Sequence, residues 1–545
     1  MIDEKDIMVS MSDGVRVALR VYRPSGPGPF PTLYASSPYR YDNNELPATP
    51  LFLWRETGPI EWYISQGYAY AHADVRGTGK SEGEYAMVDR REQRDHYEVI
   101  DWIARQPWSS GKVGGIGQSY FCISQWFMAI QAHPALACIA AYDGGIDLYH
   151  CMGPRGGIES QFPANWYEHN VRVANLFPAN GATPRALSRD IVYEVMQHPL
   201  YDDYWRERAA ITHLDKVKVP LFSVGAWAKQ DLHLDGNLIG YQRVAGEKKL
   251  FVIDVPSGFA VAATFETIEF HKEILLPFYD QYLKGLHSAH ASRPPVAFKV
   301  RNSDVTRSAD AWPPAGLKQR RWRLNKGPAG AVKSLNDGAL DEDSAAPAVG
   351  STSYSYPDPQ WILGSAAITR TGPDPIGRVL TFTSPPLKAD VELCGKSRLT
   401  LFASSSREDT DFFVKLSDQQ PDDGQGQHAG AHPRSVIVTK ACFRASHRPD
   451  AQSKPDPIDG GDHTRTLPLT PGKVERFEIE FNPMSYLFRK GSRLRLEIAN
   501  IDTSVTEFAM AHHYRPSKIG QDTIEHNAAF PSTLVLPVYP EAGSQ

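Results

Sequence analysis

The sequence has few cysteines, and their number and spacing exclude two kinds of framework. Five cysteines occur in 545 residues, namely Cys122, Cys138, Cys151, Cys394 and Cys442. An odd number cannot pair completely, and no two of them form a Cys-x-x-Cys motif. The pattern therefore does not suit a disulfide-stapled fold or a cysteine-based zinc site. We expect reduced thiols that are mostly buried.

The sequence also lacks a basic surface and a long apolar run. Its formal net charge is -5, and lysine and arginine are scattered rather than clustered, which does not suit nucleic-acid binding. No apolar stretch is long enough to cross a bilayer. Residues 1–6 are charged and lack the apolar core of a secretory signal. We therefore predict a cytoplasmic protein with neither a membrane nor a nucleic-acid partner.

The length and the order of patterns predict several domains. A chain of 545 residues is too long for one hydrophobic core. Strand-like runs alternate with helical patterns over residues 1–142 and 216–290, which predicts an α/β class with a mostly parallel sheet. Residues 143–215 are aromatic-rich and helical in period, which predicts an inserted helical cap. Residues 291–545 show short alternating runs between loops and predict an all-β jelly roll or sandwich.

One stretch resembles a turn that exposes a nucleophilic serine. A small-residue run from Val113 to Gly117 leads through Ser119 into a helical pattern. Gly117 matches the first half of the nucleophile-elbow motif, but Phe121 stands where a second glycine is expected. An ordinary serine in a strand-to-helix turn therefore remains an open alternative from this pentapeptide alone.

Several longer segments share one order with a known family. They are residues 36–39 (SSPY), 74–83 (DVRGTGKSEG), 102–108 (WIARQPW), 117–120 (GQSY), 411–416 (DFFVKL) and 488–496 (FRKGSRLRL). Together they resemble the CocE/NonD family of α/β-hydrolases, which is related to X-Pro dipeptidyl-peptidases, cocaine esterase and α-amino-acid ester hydrolases. The resemblance implies an α/β-hydrolase core, a helical cap and a C-terminal jelly roll.

The resemblance also implies roles for individual residues. Ser119 matches the nucleophile, while the Tyr120 backbone N–H and the Tyr39 phenol match the oxyanion hole. Such donors stabilise the charge that develops on a tetrahedral intermediate.

The histidine that should activate the serine is absent from its expected loop. Residues 255–265 contain no histidine, and Phe259 occupies the position of the family's base if Pro256 matches the family's proline. We interpret Phe259 as an apolar packing residue. The nearest downstream histidine is His271, inside the next helical pattern.

The orienting acid is ambiguous as well. Counting back from the helix pattern at Gly236 places Asp231 in the acid's position, whereas counting forward from Gly225 points to Lys229. A replacement base could be Lys229, His233 or His271, since a desolvated lysine or a nearby imidazole can activate serine.

We predict a serine hydrolase or acyltransferase that forms a Ser119 acyl-enzyme. Its substrate would be a small-molecule ester or amide, mid-sized and partly apolar, and no metal or cofactor is predicted. The alternative is a member with a degraded triad, either a lyase, isomerase or decarboxylase that uses the oxyanion site, or a binding protein. Family members often form homo-oligomers, although no segment here indicates an interface.

Four histidines lie in the polar loops of the C-terminal half. They are His428, His432, His447 and His463. Their spacing matches no metal-ligand pattern, so we predict solvated loop residues.

Overall fold

The chain folds around two β-sheets, one for each half of the sequence. This computed structural model describes residues 1–45, 55–176, 187–332, 334–342, 345, 347–356, 367–369, 372–374, 379–421, 434–502 and 518–540. Within these ranges lie a ten-stranded sheet, a thirteen-stranded sheet and a two-stranded ribbon.

The ten-stranded sheet is mostly parallel. Its strands are β1 (Ile2–Ser10), β2 (Arg16–Arg23), β3 (Phe30–Ser37), β4 (Ala69–Asp74), β5 (Ser109–Gly115), β6 (Leu136–Tyr142), β7 (Leu221–Ala226), β8 (Lys248–Ile253), β9 (Val296–Lys299) and β10 (Thr306–Ala309). Their spatial order is β1-β2-β4-β3-β5-β6-β7-β8-β9-β10. All pairs from β4 through β9 are parallel. The carboxyl ends of β5, β6 and β7 therefore lie side by side, where α/β proteins usually build their sites.

Helices connect these strands and pack against the sheet. The α-helices are α1 (Ile60–Ser65), α2 (Arg90–Ala104), α3 (Tyr120–Ile130), α4 (Leu148–Met152), α5 (Phe162–Trp166), α6 (Val173–Leu176), α7 (Ile191–Gln197), α8 (Asp203–Glu207), α9 (Leu234–Arg243), α10 (Gly258–Phe265), α11 (Ile268–Phe270) and α12 (Leu276–Lys284). Helix α3 follows β5 and is buried along its whole length, as its mostly apolar sequence predicts. Its two polar residues, Ser124 and Gln125, donate hydrogen bonds to backbone carbonyls.

The segment between β6 and β7 is a series of short helices. Helices α4, α7 and α8 each begin after an aspartate, Asp147, Asp190 and Asp202, whose side chain accepts a hydrogen bond from the first helical turn. These caps satisfy backbone donors that a helix start leaves unpaired. Large aromatics such as Trp166 and Trp205 are buried here. The helices form one wall of the site described below.

The second half is a mostly antiparallel β domain. Its strands are β11 (Lys318–Asn325), β12 (Gly338–Glu342), β13 (Ser351–Tyr356), β14 (Ala367–Thr369), β15 (Gly372–Asp374), β16 (Leu380–Thr383), β17 (Val391–Gly395), β18 (Arg398–Ser405), β19 (Asp411–Gln419), β20 (Ser435–Arg444), β21 (Glu475–Glu480), β22 (Met484–Phe488), β23 (Arg493–Ala499), β24 (Gly520–Glu525) and β25 (Thr533–Val538). The predicted class, an α/β-hydrolase domain followed by an all-β domain, is confirmed.

Strands β9 and β10 lie after residue 291, where the sequence predicts the all-β domain to begin, yet they belong to the sheet of the first domain. Strand β9 pairs with β8 in parallel, and β10 pairs with β9, so both extend the ten-stranded sheet. Alternation of apolar and polar residues predicts a strand but not the sheet it joins, which explains the difference.

The loop histidines also differ from expectation. His447 and His463 are buried rather than solvated, while His428 and His432 lie outside the described residues. The cysteines follow the prediction: all five are free thiols, four of them are buried and Cys442 is partly buried. Among the described helices, none combines the length and the hydropathy needed to span a bilayer.

Candidate active site

Ser119 occupies a strained turn between β5 and α3. Its backbone has φ 57° and ψ -121°, a conformation that non-glycine residues rarely adopt and that persists only where the surroundings enforce it. Gly117 also has positive φ, and a Cβ there would lie 2.4 Å from Cβ of Phe121. The glycine is therefore required for the helix to approach the strand, and Phe121 fills the space beside it. This is the geometry of a nucleophile elbow.

Two potential hydrogen-bond donors belong to residues beside Ser119. The Tyr39 phenol is buried, and its oxygen accepts a 2.8 Å hydrogen bond from Nε1 of Trp166. Burial raises the pKa of Tyr39 well above its ordinary value, against its hydrogen bonds with Trp166 and Ser119. The phenol thus stays protonated and can donate. Tyr120 begins α3, where backbone N–H groups lack intrahelical acceptors.

An aspartate–histidine pair lies beside this turn. Asp143 directly follows β6, and His233 directly precedes α9. Nδ1 of His233 lies 2.9 Å from Oδ1 of Asp143, and both side chains are almost completely buried. The Ser119 backbone N–H also donates to the Asp143 carbonyl at 2.7 Å. The pair is thus joined directly to the serine turn.

The protonation states of Asp143 and His233 suit the imidazole to act as a proton acceptor. Burial lowers the pKa of His233 below its ordinary 6.5, although the Asp143 carboxylate acts in the opposite direction. For Asp143, burial acts to raise the pKa, but the charges of Lys229 and His233 outweigh it and hold the pKa below its usual value. Near neutral pH the imidazole is therefore neutral and the carboxylate ionised. An ionised carboxylate only accepts, so Nδ1 carries the proton and Nε2 is left as the basic nitrogen.

Ser119 and His233 line one narrow pocket. The residues around it are Tyr39, Met87, Ser119, Tyr120, Ile123, Leu148, Cys151, Met152, Phe162, Trp166, Leu232 and His233. Its walls are mostly apolar, and its polar groups are the serine, the imidazole and the two tyrosines. This combination of an apolar wall with a few convergent polar groups is typical of small-molecule sites.

Two further titratable residues lie close to the proposed site, Lys229 near Asp143 and Glu56 near Ser119. Nζ of Lys229 is 3.9 Å from Oδ2 of Asp143. Burial raises the pKa of Glu56 to about 8, against the charge of Lys229 and a hydrogen bond with the Ser119 side chain. The Glu56 carbonyl also accepts from the Gln118 backbone at 3.0 Å. Glu56 is therefore largely protonated near neutral pH.

Other candidates from the sequence lie elsewhere. Asp231 forms an ion pair with Lys440 at 2.5 Å and accepts from Asn482, so its carboxylate faces the C-terminal domain. His271 uses Nδ1 with the Tyr63 hydroxyl and Nε2 with a backbone carbonyl, both at 2.8 Å, and is committed to the core.

Phe259 is more exposed than its interpretation as an apolar packing residue predicts. It is 62% exposed, at the start of α10 after β8. The residue that stands where the family pattern has its histidine is therefore largely exposed to solvent.

Sequence reasoning missed Asp143 and Glu56. A signal for Asp143 was present, because it ends a buried strand adjacent to the elbow strand, and such ends meet at one edge of the sheet. Glu56 carries no comparable signal, since it follows no recognisable strand or motif and reaches the site only through the fold.

Comparison with known proteins agrees with this architecture. Residues 13–254 match the family model described as X-Pro dipeptidyl-peptidase (S15 family), and residues 288–535 match that of the X-Pro dipeptidyl-peptidase C-terminal non-catalytic domain. Cocaine esterase from Rhodococcus sp. (strain MB1 Bresler) is 27% identical over 557 residues, which cover 91% of this chain and 90% of the relative.

Solved structures show the same fold over nearly the whole chain. A CocE/NonD family hydrolase from Staphylococcus aureus is 25% identical with a TM-score of 0.80, and the match covers 99% of this chain and 94% of that one. An aminopeptidase from the marine sediment archaeon Thaumarchaeota archaeon shares the fold at 18% identity, with a TM-score of 0.76 and coverage of 99% and 96%. The resemblance predicted from the motifs is thereby confirmed: the chain belongs to the CocE/NonD family of hydrolases, with a peptidase S15 domain followed by an X-Pro dipeptidyl-peptidase C-terminal domain.

Proposed function

We propose that this protein hydrolyses an ester or amide through a Ser119 acyl-enzyme, with His233 as general base and Asp143 as its orienting acid. The observation that carries the proposal is the 2.9 Å contact between His233 Nδ1 and Asp143 Oδ1, in a pocket that Ser119 also lines. A nucleophile, a base and a third group that orients the base are the parts that serine catalysis requires.

The topology supports this assignment. Ser119 follows β5, Asp143 follows β6 and His233 lies in the segment after β7, and these three strands are neighbours in the sheet. Their carboxyl ends deliver the three side chains to one edge. A base after β8 is then unnecessary, which accounts for the exposed Phe259 at that position.

The chemistry follows from the positions of the groups. Oγ of Ser119 attacks the substrate carbonyl while its proton passes to Nε2 of His233. The oxyanion that forms accepts hydrogen bonds from the Tyr39 phenol and the Tyr120 backbone N–H. Nε2 then gives its proton to the departing alcohol or amine, and the acyl-enzyme remains. Water attacks this ester by the reverse proton path and releases the acid.

The apolar walls support a mid-sized, partly apolar acyl group. Met87, Ile123, Leu148, Met152 and Phe162 surround the space in front of the serine. Hydrolases of this family act on small molecules or peptides, and this lining favours substrates whose acyl part is hydrophobic over charged ones, because a buried charge without a partner is costly.

Labelling with a fluorophosphonate, followed by intact-mass measurement, tests the proposal. We expect one adduct on the wild type, none on Ser119→Ala, and labelling slowed by at least about 100-fold in His233→Gln. His271→Gln serves as the matched control, because it removes another buried histidine, and should label at the wild-type rate. No adduct on folded wild type would favour the non-hydrolytic or binding alternative. Normal labelling of His233→Gln with loss in Lys229→Met would make Lys229 the base.

A further inference from the structure

A second cluster of ligating side chains lies where the two domains meet. His150 belongs to α4, while Asp459 and His463 belong to the loop between β20 and β21. One potential ligand atom from each of these three residues lies within 4.8 Å of the other two, and all three side chains are buried. The proposed catalytic machinery uses none of them.

His150 points to a missing partner. It is 2% exposed, and its ring nitrogens lie near the Asp456 and Asp459 carboxylates without meeting the angles of a regular hydrogen bond. Burying a polar group without a hydrogen bond is costly, so each such group needs an explanation such as a bound ion. Nδ1 of His150 lies 3.5 Å from Oδ2 of Asp459. Nε2 of His463 lies 2.9 Å from Oδ1 of the same carboxylate.

The outer nitrogens of both histidines have neighbours of the kind that metal sites use. Nε2 of His150 lies 3.2 Å from Oδ1 of Asp456. Nδ1 of His463 lies 3.0 Å from Nδ1 of His447. Histidines that bind a metal through one nitrogen commonly donate the other N–H to a carboxylate or another acceptor, which fixes the tautomer. The arrangement thus has an inner set of three ligands and an outer set that orients them.

We propose that His150 Nδ1, His463 Nε2 and the Asp459 carboxylate bind one divalent metal ion of the zinc type. Two imidazoles and one carboxylate suit Zn²⁺ and neighbouring first-row ions, whereas Ca²⁺ and Mg²⁺ favour oxygen ligands alone. Ligand atoms about 2 Å from one zinc ion lie at most about 4 Å apart, so shifts below about 1 Å close the set.

Such an ion would fasten the C-terminal domain to the wall of the active-site pocket. Leu148, Cys151 and Met152 of α4 line the pocket of Ser119, and His150 lies on the same helix. The ion would hold this short helix against the loop of the second domain. Its role is therefore structural, and binding of the metal does not depend on the proposed hydrolysis.

Metal analysis of the intact chain tests the site. Wild-type protein loaded with Zn²⁺ and then gel-filtered should retain about one zinc per chain, and His150→Gln should retain almost none. His526→Gln, which alters another buried histidine of the C-terminal domain, should retain the wild-type amount. Zinc absent from the wild type, or equal in wild type and His150→Gln, would overturn the proposal and leave the cluster as a histidine–aspartate ion pair.

A second measurement uses only the wild type, in case the variant does not fold. Metal-free protein titrated with Co²⁺ should develop visible absorption bands of a low-coordinate site that saturate near one equivalent, and added Zn²⁺ should abolish them. Zinc should also raise the melting temperature by several degrees, because a ligand that binds only the folded state stabilises it. A purely aqueous cobalt spectrum with no thermal shift would contradict the site.

Discussion

The indole of Trp166 donates a 2.8 Å hydrogen bond to the phenolic oxygen of Tyr39. Because the phenol oxygen accepts on this side, its own proton is directed elsewhere, and the Ser119 side chain lies within its reach. Trp166, in the helical segment between β6 and β7, thus orients the phenol of Tyr39, which follows β3 of the sheet.

Removing the Tyr39 hydroxyl should mainly slow turnover. We expect Tyr39→Phe to lower kcat by about 10²–10³, the usual loss for one oxyanion donor, with little change in KM. Trp166→Phe should cost less, about tenfold, because the phenol remains but loses its orientation. Steady-state kinetics on an aryl ester measure both. Equal kcat in wild type and Tyr39→Phe would exclude the phenol from the oxyanion site.

The Asp143 carboxylate should be needed for turnover. Asp143→Asn should lower kcat/KM by about 10³–10⁴, as loss of an orienting acid does elsewhere. Asp231→Asn is the matched control, and we expect a change below about threefold because its carboxylate pairs with Lys440. The reverse result would return the acid role to Asp231.

The acid limb of the pH profile should lie below the ordinary histidine range. Burial holds the pKa of His233 below 6.5, so the base stays unprotonated and active into mildly acidic solution. Activity should fall only as pH drops through that lowered pKa. A kcat/KM profile from pH 4 to 10 measures this limb, and a midpoint above pH 7 would contradict His233 as the base.

Glu56 should govern the alkaline limb. Its pKa is raised to about 8, so above that pH the Glu56 carboxyl group ionises. Its negative charge would repel the oxyanion that forms at Ser119, and activity should decline. Glu56→Gln should extend the plateau to higher pH. The same shift affects folding: a pKa raised above 4.5 gives stability that is complete below pH 4.5 and lost as pH rises through 8. Melting temperatures from pH 5 to 9 should therefore fall more steeply in wild type than in Glu56→Gln.

Close backbone packing should keep the proposed base in place. A Cβ on Gly236 would lie 2.3 Å from the Gly144 carbonyl, so Gly236→Ala should displace α9 and His233 from Asp143. We expect a loss of about 1–3 kcal/mol in stability and a clear loss of activity. Gly258→Ala, whose Cβ would meet nothing closer than 3.5 Å, is the control. Unchanged kinetics in Gly236→Ala would show that activity does not depend on the close packing of α9 that positions His233 against Asp143.

The sequence predicts the architecture more fully than the site. Alternating strand and helix patterns suffice for the parallel sheet, and the small residues before Ser119 suffice for the elbow, because both depend on local periodicity and sterics. The Asp143 and His233 pair is different, since 90 residues separate the two and only the order of strands brings them together. Counting along one loop therefore selects Asp231 as the orienting acid, although its carboxylate contacts Lys440 and Asn482 of the C-terminal domain.

The exposed position of Phe259 makes the loop after β8 accessible to engineering. All five native cysteines are at least partly buried, so Phe259→Cys would introduce a uniquely reactive thiol. Gly258 beside it lies against the Lys229 side chain, which in turn reaches Asp143. We expect a fluorophore attached there to lie outside the pocket of Ser119, whose lining does not include residues 258 and 259, and to respond to changes in charge near Lys229.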